Sequence, residues 1–541
     1  MKYITRSLAL LAFLALTILP LAIILVNAFW QGGEVVFGQF FEAISEVRIY
    51  RIILRTLTLA LCATAVATIL ALPAAWICSR TTTPFARVFT FLAFTPLLIP
   101  SHSVAYSWMQ FMLTTGQMIS GKTGTPLLPY FNMPFSTSVL AFYYFPVIFY
   151  GSYAAFRAAD PLRENVALLY QPPWRVVWKV MLPAALPYII ASIGFGFLLS
   201  FMEYGIPSML TVNTFVTELF VFMSSSTGVY SALALSMLVF VFILVIGWFV
   251  FRKLPTSFFF SDSDNIRPHT RFDLGGYKYP ATGLLVLIFS LTTLVPVAAL
   301  VIRSFALTGD PFSVEPSYFA GLKYFKEAIL LNKKEVQTSL MITPVICIIS
   351  VLVALPLARM LAFSPRRISY LAFVFTAMTF LIPGTVFGIG ILQIYRYPIF
   401  DELYSSPLII VLAHVGRFTP IAILVLAAGM MRAGRKLEFV ARLHGVSDLN
   451  AYLEVFLPAI KFEFWLAVIA VAVFSLSELG ATILVTPPNV STITAGLYIM
   501  MHYGNEERVS ALALMQILVI LLPTILFAAY RVLSPSREVR A

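Results

Sequence analysis

Two carboxylates in this sequence stand where a carboxylate is costly. Glu203 and Glu478 each lie well inside a long apolar run, 275 residues apart, in the matching words Glu203-Tyr204-Gly205 and Glu478-Leu479-Gly480. At about 1.5 Å rise per residue, each sits about 25 Å from the start of its run. An ionisable group inside such a run faces a cavity or a partner. One reading is a pair of acids lining a pathway and favouring a cation, with Tyr204 beside the first. The other is a carboxylate at a helix end, bonding backbone N–H groups of a nearby loop. The sequence leaves both open. His102, His414 and Arg417 also fall in or beside apolar runs, and packing within a bundle is the favoured reading of each. His414 and Arg417 are three apart, hence on one helical face. Ile99-Pro100 ahead of His102 predicts a kink.

The segment Gly116-Gln117-Met118-Ile119-Ser120-Gly121-Lys122-Thr123 fits the phosphate-loop spacing letter for letter. A working phosphate loop follows a strand and opens a helix. This one follows an apolar run and precedes Pro126, so it is expected as part of an outward loop. Asn489-Val490-Ser491 fits a glycosylation acceptor and carries little weight. Cys62, Cys78 and Cys347 lie in apolar runs, without metal or disulfide spacing, and read as core residues. No metal cluster or nucleophile–base set supports an enzyme.

Two polar segments share a more ordered pattern. The first runs from Asp160 through Glu164, Tyr170 and Trp174 to Leu182-Pro183. The second runs from Glu438 through Gly445 to Leu457-Pro458. Each reads as a short amphipathic helix, a turn, a second helix, and a Leu-Pro entering an apolar run. Such a segment can be a knob for a partner's groove or a helix lying on lipid headgroups.

The elements that position these residues follow from composition. Of 541 residues, 60% are hydrophobic and 11% charged, against about 25% charged in a globular protein. Lipid must solvate most of the surface, which excludes a soluble enzyme on a single anchor. A helix needs about 20 apolar residues to cross the hydrocarbon. That ruler gives segments near 7–30, 52–78, 87–112, 136–156, 187–211 and 230–251, then 281–303, 338–361, 369–395, 407–430, 461–484 and 510–530. The first is too long for a signal peptide's apolar core and is expected as a membrane helix. The net charge of +12 could suggest nucleic acid. Most Lys and Arg, including Arg80, Arg87, Arg175, Lys179, Arg366, Arg367 and Arg432, fall on the side shared by both termini, so the excess reads as cytoplasmic loops.

The chain also repeats. Leu182-Pro183 matches Leu457-Pro458, and Thr211 matches Thr486, at the same 275-residue offset as the two acids. Ala71-Leu72-Pro73 matches Ala354-Leu355-Pro356, and Ile99-Pro100 matches Ile382-Pro383, at 283. Ser231 to Leu235 recurs as Ser510 to Leu514. Six helices per half, in the same orientation, make a parallel repeat. Pro73, Pro100, Pro183, Pro356, Pro383 and Pro458 are symmetric candidate bends.

The two polar segments resemble the EAA loop of binding-protein-dependent ABC importers: Glu-Ala-Ala, three residues, Gly, nine residues, Ile-x-Leu-Pro. The first copy matches at Glu164, Leu182 and Pro183, with Val180 for Ile and Tyr170 for Gly. The second matches at Gly445, Leu457 and Pro458, with Val455 for Ile and Glu438 one residue early. With Ser477–Thr482, the chain is similar to fused permeases of ferric iron importers; thiamine and 2-aminoethylphosphonate permeases are alike. The resemblance implies a type I ABC importer permease fold and a multi-pass subunit of the bacterial inner membrane. Its coupling loops would dock two copies of a cytoplasmic ATPase, and a periplasmic binding protein would deliver substrate. ATP and Mg would sit on the ATPase, with no cofactor on this chain. Ferric iron is the first substrate expected, and Tyr106, Tyr143, Tyr144 and Tyr204 supply oxygens that a hard ion prefers. An ion-coupled secondary transporter is the competing class. The expected layout is 1–51, first helix and outer loop; 52–251, first transmembrane domain; 252–280, cytoplasmic linker; 281–337, seventh helix and outer loop; 338–530, second domain; 531–541, tail.

Overall fold

The computed structural model of the chain describes residues 2–31, 34–35, 45–123, 132–158, 161–224, 229–251, 271–306, 318–395, 397–434 and 451–533, with single positions 38, 41 and 440. Among these the protein is all-α, apart from a strand pair, Trp30–Gln31 with Glu34–Val35, and a bridge between Thr81 and Phe272. Backbone in lipid has no water to bond, so its polar groups are closed within helices. Nine helices among the described residues are long and apolar enough to cross a membrane, and two bent pairs bring this to eleven. The segment expected near 461–484 forms a shorter helix, Lys461–Ser477, of 17 residues.

In order, the helices of residues 1–304 are α1 (Ser7–Asn27), α2 (Val47–Arg80), α3 (Ala86–Leu98), α4 (Ser101–Thr123), α5 (Met133–Ala158), α6 (Pro161–Tyr170), α7 (Pro173–Phe201), α8 (Gly205–Met209), α9 (Phe215–Ser224), α10 (Val229–Phe251) and α11 (Gly275–Ser304). Then come α12 (Tyr318–Leu331), α13 (Lys333–Phe363), α14 (Arg366–Phe380), α15 (Gly384–Tyr395), α16 (Leu408–Ala433), α17 (Lys461–Ser477), α18 (Gly480–Val485), α19 (Ile493–Tyr503) and α20 (Glu506–Leu533). The repeat seen in the sequence holds element by element: α2 with α13, α3–α4 with α14–α15, α5 with α16, α8 with α18, and α10 with α20.

The chain divides into two compact units that are not the two sequence halves. One comprises residues 33–322. There α2 buries a stripe of Ala60, Ala63, Ala67, Ala71 and Ala74, leaving Leu54, Leu61 and Ile69 outward. The small residues let α5 pack closely on α2. The helix α11 packs on α3 and α4. The other unit comprises residues 1–32 and 323–541. In it α16 packs on α13 and α17, while α1 packs on α13 and α15. Each unit thus contains the first helix of the other sequence half.

Proline explains the shared irregularities. Breaks at Pro100 and Pro383 bend α3–α4 by 98° and α14–α15 by 87°. A proline pushes the residue before it out of the helical region, and Ile99 is extended at φ −97°, ψ 128°. Pro20, Pro183, Pro296 and Pro458 instead follow one-turn π segments at Leu14–Ile18, Val177–Met181, Ser290–Leu294 and Ala451–Phe456. Each removes an N–H from the ladder, and the turn before it rewinds. Pro73 and Pro356 stand inside continuous helices.

Two loops expected from sequence are helical. Gly116–Thr123, the phosphate-loop spacing, is the last part of α4 rather than a loop. The polar stretch after α11 contains α12.

Candidate functional site

Both acids close a break between helices. Glu203 lies two residues beyond α7 and just ahead of α8. Its Oε1 accepts from the Gly205 N–H at 2.9 Å, and its Oε2 accepts from the Tyr144 hydroxyl on α5 at 2.5 Å. The Ser101 hydroxyl, at the start of α4, also donates to it. The carboxylate therefore caps α8 and ties it to the bend at Pro100. The adjacent Tyr204 is buried, its ring 6.0 Å from Phe220 of α9.

Glu478 repeats the arrangement in the other unit. It is extended at the end of α17 (φ −72°, ψ 120°). Its Oε1 accepts from the Ala481 N–H at 2.9 Å, capping α18. Its second oxygen meets a cation: Arg417 Nε of α16 donates to Oε2 at 3.0 Å, and Arg417 Nη1 donates to the Ile382 carbonyl at 2.6 Å. That carbonyl is at the break before Pro383, so the acid again holds the bend. Gly384 makes this possible, because a Cβ there would strike Glu478 Oε1 and the Ala481 nitrogen. His414, one turn from Arg417, is buried between two hydroxyls, with Nδ1 2.8 Å from Ser475 Oγ and Nε2 2.9 Å from Thr482 Oγ1. The helical face shared by His414 and Arg417 is thus the face that grips α17 and α18.

The two copies differ in charge. Tyr144 and Ser101 hold Glu203 by neutral groups, whereas Arg417 offsets the charge of Glu478. Among the described residues, no three of His, Cys, Asp and Glu come together as a metal ligand set. The arrangement is suited to holding bends rather than to fixing a resident ion.

The first polar loop forms α6 and the start of α7. Glu164 points inward and is buried against Arg80 at the end of α2. The opposite side of α6 exposes Leu162, Val166 and Leu169, and Tyr170 follows. That is an apolar stripe at helical spacing, i, i+4, i+7 and i+8. Trp174 and Trp178 extend it past the turn, and Arg175 lies over the Trp174 ring at 5.1 Å. Tyr170 ends its helix with negative φ, and Pro172, at φ −64°, ψ 150°, makes the turn. No glycine conformation is needed there. Leu182 and Pro183 follow the π segment inside α7. In the second loop, Leu457 and Pro458 open the short helix Leu457–Ala459, while Glu438 and Gly445 lie outside the described residues.

Sequence reasoning missed the partner of Glu164. Arg80 counted only toward the charge bias, and 84 residues of separation carry no periodic signal. It also named Arg417 and Glu478 separately without pairing them.

No family model matches the chain. Over 519 residues, covering 95% of this chain and 96% of the relative, it is 23% identical to the Fe(3+)-transport system permease protein FbpB 2 of Haemophilus influenzae. The likeness to ferric-iron-type permeases therefore runs through both halves and is not confined to the two loops.

Proposed function

We propose that this chain is the membrane-spanning permease subunit of an ATP-driven, binding-protein-dependent importer, lying in the bacterial inner membrane with both termini cytoplasmic. The observation that carries this reading is the exposed apolar stripe of α6, set opposite a buried anchor. A helix lying on its own bundle would bury that stripe; a docking knob presents it, as would a helix lying on lipid headgroups, and the capture experiment below separates those two. The full-length likeness to an iron-transport permease supports the same reading. The partner is a cytoplasmic ABC ATPase, in two copies, one for each of the loops Glu164–Pro183 and Glu438–Pro458. ATP and Mg belong to that partner. A periplasmic binding protein delivers substrate on the other side.

Docking predicts that Val166→Asp with Leu169→Asp will cut ATPase capture at least tenfold. Buried apolar anchors each contribute about 2 kcal/mol to an interface. The measurement is co-purification from native membranes with ATP hydrolysis in the eluate. A wild-type chain that retains no ATPase, and transports in ATP-depleted vesicles, would point to the ion-coupled class.

The substrate reading is ferric iron, with thiamine or 2-aminoethylphosphonate as alternatives. Of the two acids, Glu203 is the better candidate for attracting a cation, because Arg417 already compensates Glu478. Glu203→Gln is expected to lower uptake of labelled ferric iron severalfold with folding intact, as judged by size-exclusion profile. Uptake unaltered by this change, alone or with Glu478→Gln, would remove both acids from the pathway. Competition by unlabelled thiamine or aminoethylphosphonate separates the three substrates.

A further inference from the structure

The helix that presents the docking stripe is tied to the bundle by a buried ion pair. Arg80 closes α2 and is 0% exposed, and Glu164 on α6 is 1% exposed. Arg80 Nη1 donates to Glu164 Oε2 at 2.9 Å and Nη2 to Oε1 at 2.7 Å, a two-pronged fork. The same guanidinium donates to the Phe156 carbonyl near the end of α5. The backbone of Arg80 holds a fourth segment: its carbonyl accepts from the Phe272 N–H at 2.7 Å, and the Trp76 ring stacks on Phe272 at 6.4 Å. Phe272 belongs to the end of the linker that leads into α11. One side chain and its backbone therefore gather α2, α5, α6 and the linker.

The geometry of a fork matters here. Two parallel hydrogen bonds fix the orientation of α6 as well as its distance, where a single apolar contact would let the helix roll. The matching position in the other half is Phe363, which closes α13. It meets Phe456, just before Leu457-Pro458, edge-on at 5.7 Å.

We propose that Arg80 is the positioning residue of the first coupling joint. Its buried fork with Glu164 makes α6 and α2 move as one body when the ATPase displaces α6. This rests on the permease reading above and deepens it: Glu164 belongs to the loop that docks, but it serves the bundle and not the ATPase.

The test uses the whole complex in lipid nanodiscs, in a Cys62→Ser background, with spin labels at Asn165→Cys on α6 and Leu61→Cys on α2. In the otherwise wild-type chain, the label distance should be narrow and the same without nucleotide and with ATP trapped. In Glu164→Gln, ATPase retention should stay within twofold and hydrolysis should continue, while the distance broadens and shifts with nucleotide. Arg80→Lys keeps the charge, loses the fork, and should broaden the distance in the same way; it serves if the Gln variant does not fold. A distance that stays narrow in both variants overturns the proposal. So does a tenfold loss of ATPase from Glu164→Gln, which would make Glu164 a docking contact and leave the permease reading standing. A wild-type chain that holds no ATPase sinks the permease reading itself.

Discussion

Replacing Gly416 with valine is expected to unseat α1. The reason lies in one proline. Pro20 has no N–H to offer the carbonyl of Leu16, four residues earlier, and the preceding turn rewinds as a π segment. That carbonyl lies against Gly416 of α16, so closely that any Cβ at Gly416 would collide with it. The Thr17 hydroxyl completes the crossing by donating to the Gly416 carbonyl at 2.7 Å. Two of the three obstructing atoms are the Leu16 carbonyl oxygen and carbon, the third being Phe387 Cζ, so a larger side chain must push two helices apart. The cost is about 3 kcal/mol, the upper part of the range for overpacked cores. Thr17→Val removes a hydrogen bond alone and should cost about 1 kcal/mol. The direct measurement is cross-linking of Asn27→Cys to Gln393→Cys, whose native side chains meet at 3.3 Å. The pair should cross-link readily in the parent chain and poorly with Gly416→Val. Equal yields would mean that the crossing tolerates the bulk.

The second large effect is expected at Arg417. Its side chain is 17% exposed and that of Glu478 is 11% exposed, so the pair is largely removed from water. Arg417→Met leaves the carboxylate with the Ala481 N–H and no cation, and frees the Ile382 carbonyl at the bend. Removing one partner of a buried ion pair costs about 3–5 kcal/mol. Glu478→Gln should cost a similar amount by stranding the cation. The double variant Arg417→Met with Glu478→Gln leaves no net charge and should recover much of the loss. Thermal unfolding of the purified chain in detergent, run as a double-mutant cycle, reads the coupling. Additive losses would show that the two side chains do not stabilise one another.

Much of this architecture was legible because its signals are local. Apolar runs mark the membrane segments: eleven of the twelve fall on candidate spans or bent pairs, and the run near 461–484 holds the 17-residue α17. The bends at Pro100 and Pro383 were readable because proline acts on its immediate neighbours. Equivalent words, such as the two acids 275 residues apart, revealed the repeat. What was not legible is contact between distant segments. Every membrane helix has apolar faces of similar character, so nothing in α1 says that it packs on α13 and α15. Nor does any pattern link Arg80 to Glu164, or Arg417 to Glu478. The helix α12 was hidden in a stretch polar enough to read as loop. The choice between a pathway acid and a helix cap needed side-chain geometry: both acids cap, and only one is neutralised by a cation.

The exchange of first helices has a consequence for the order of synthesis. The helix α1 leaves the ribosome about 300 residues before α13 begins, which at 5–20 residues per second is roughly 15–60 s. Throughout that interval α1 sits in the bilayer without the surface it is shaped for. The backbone at Leu16, shaped to lie against Gly416, then faces lipid or a temporary companion. The first sequence half, made alone, would lack the helix that covers α3 and α4, since α11 comes later. The unit of residues 33–322 can close once α11 is made, whereas α1 must wait for α13 and α15, so the unit begun first is finished last.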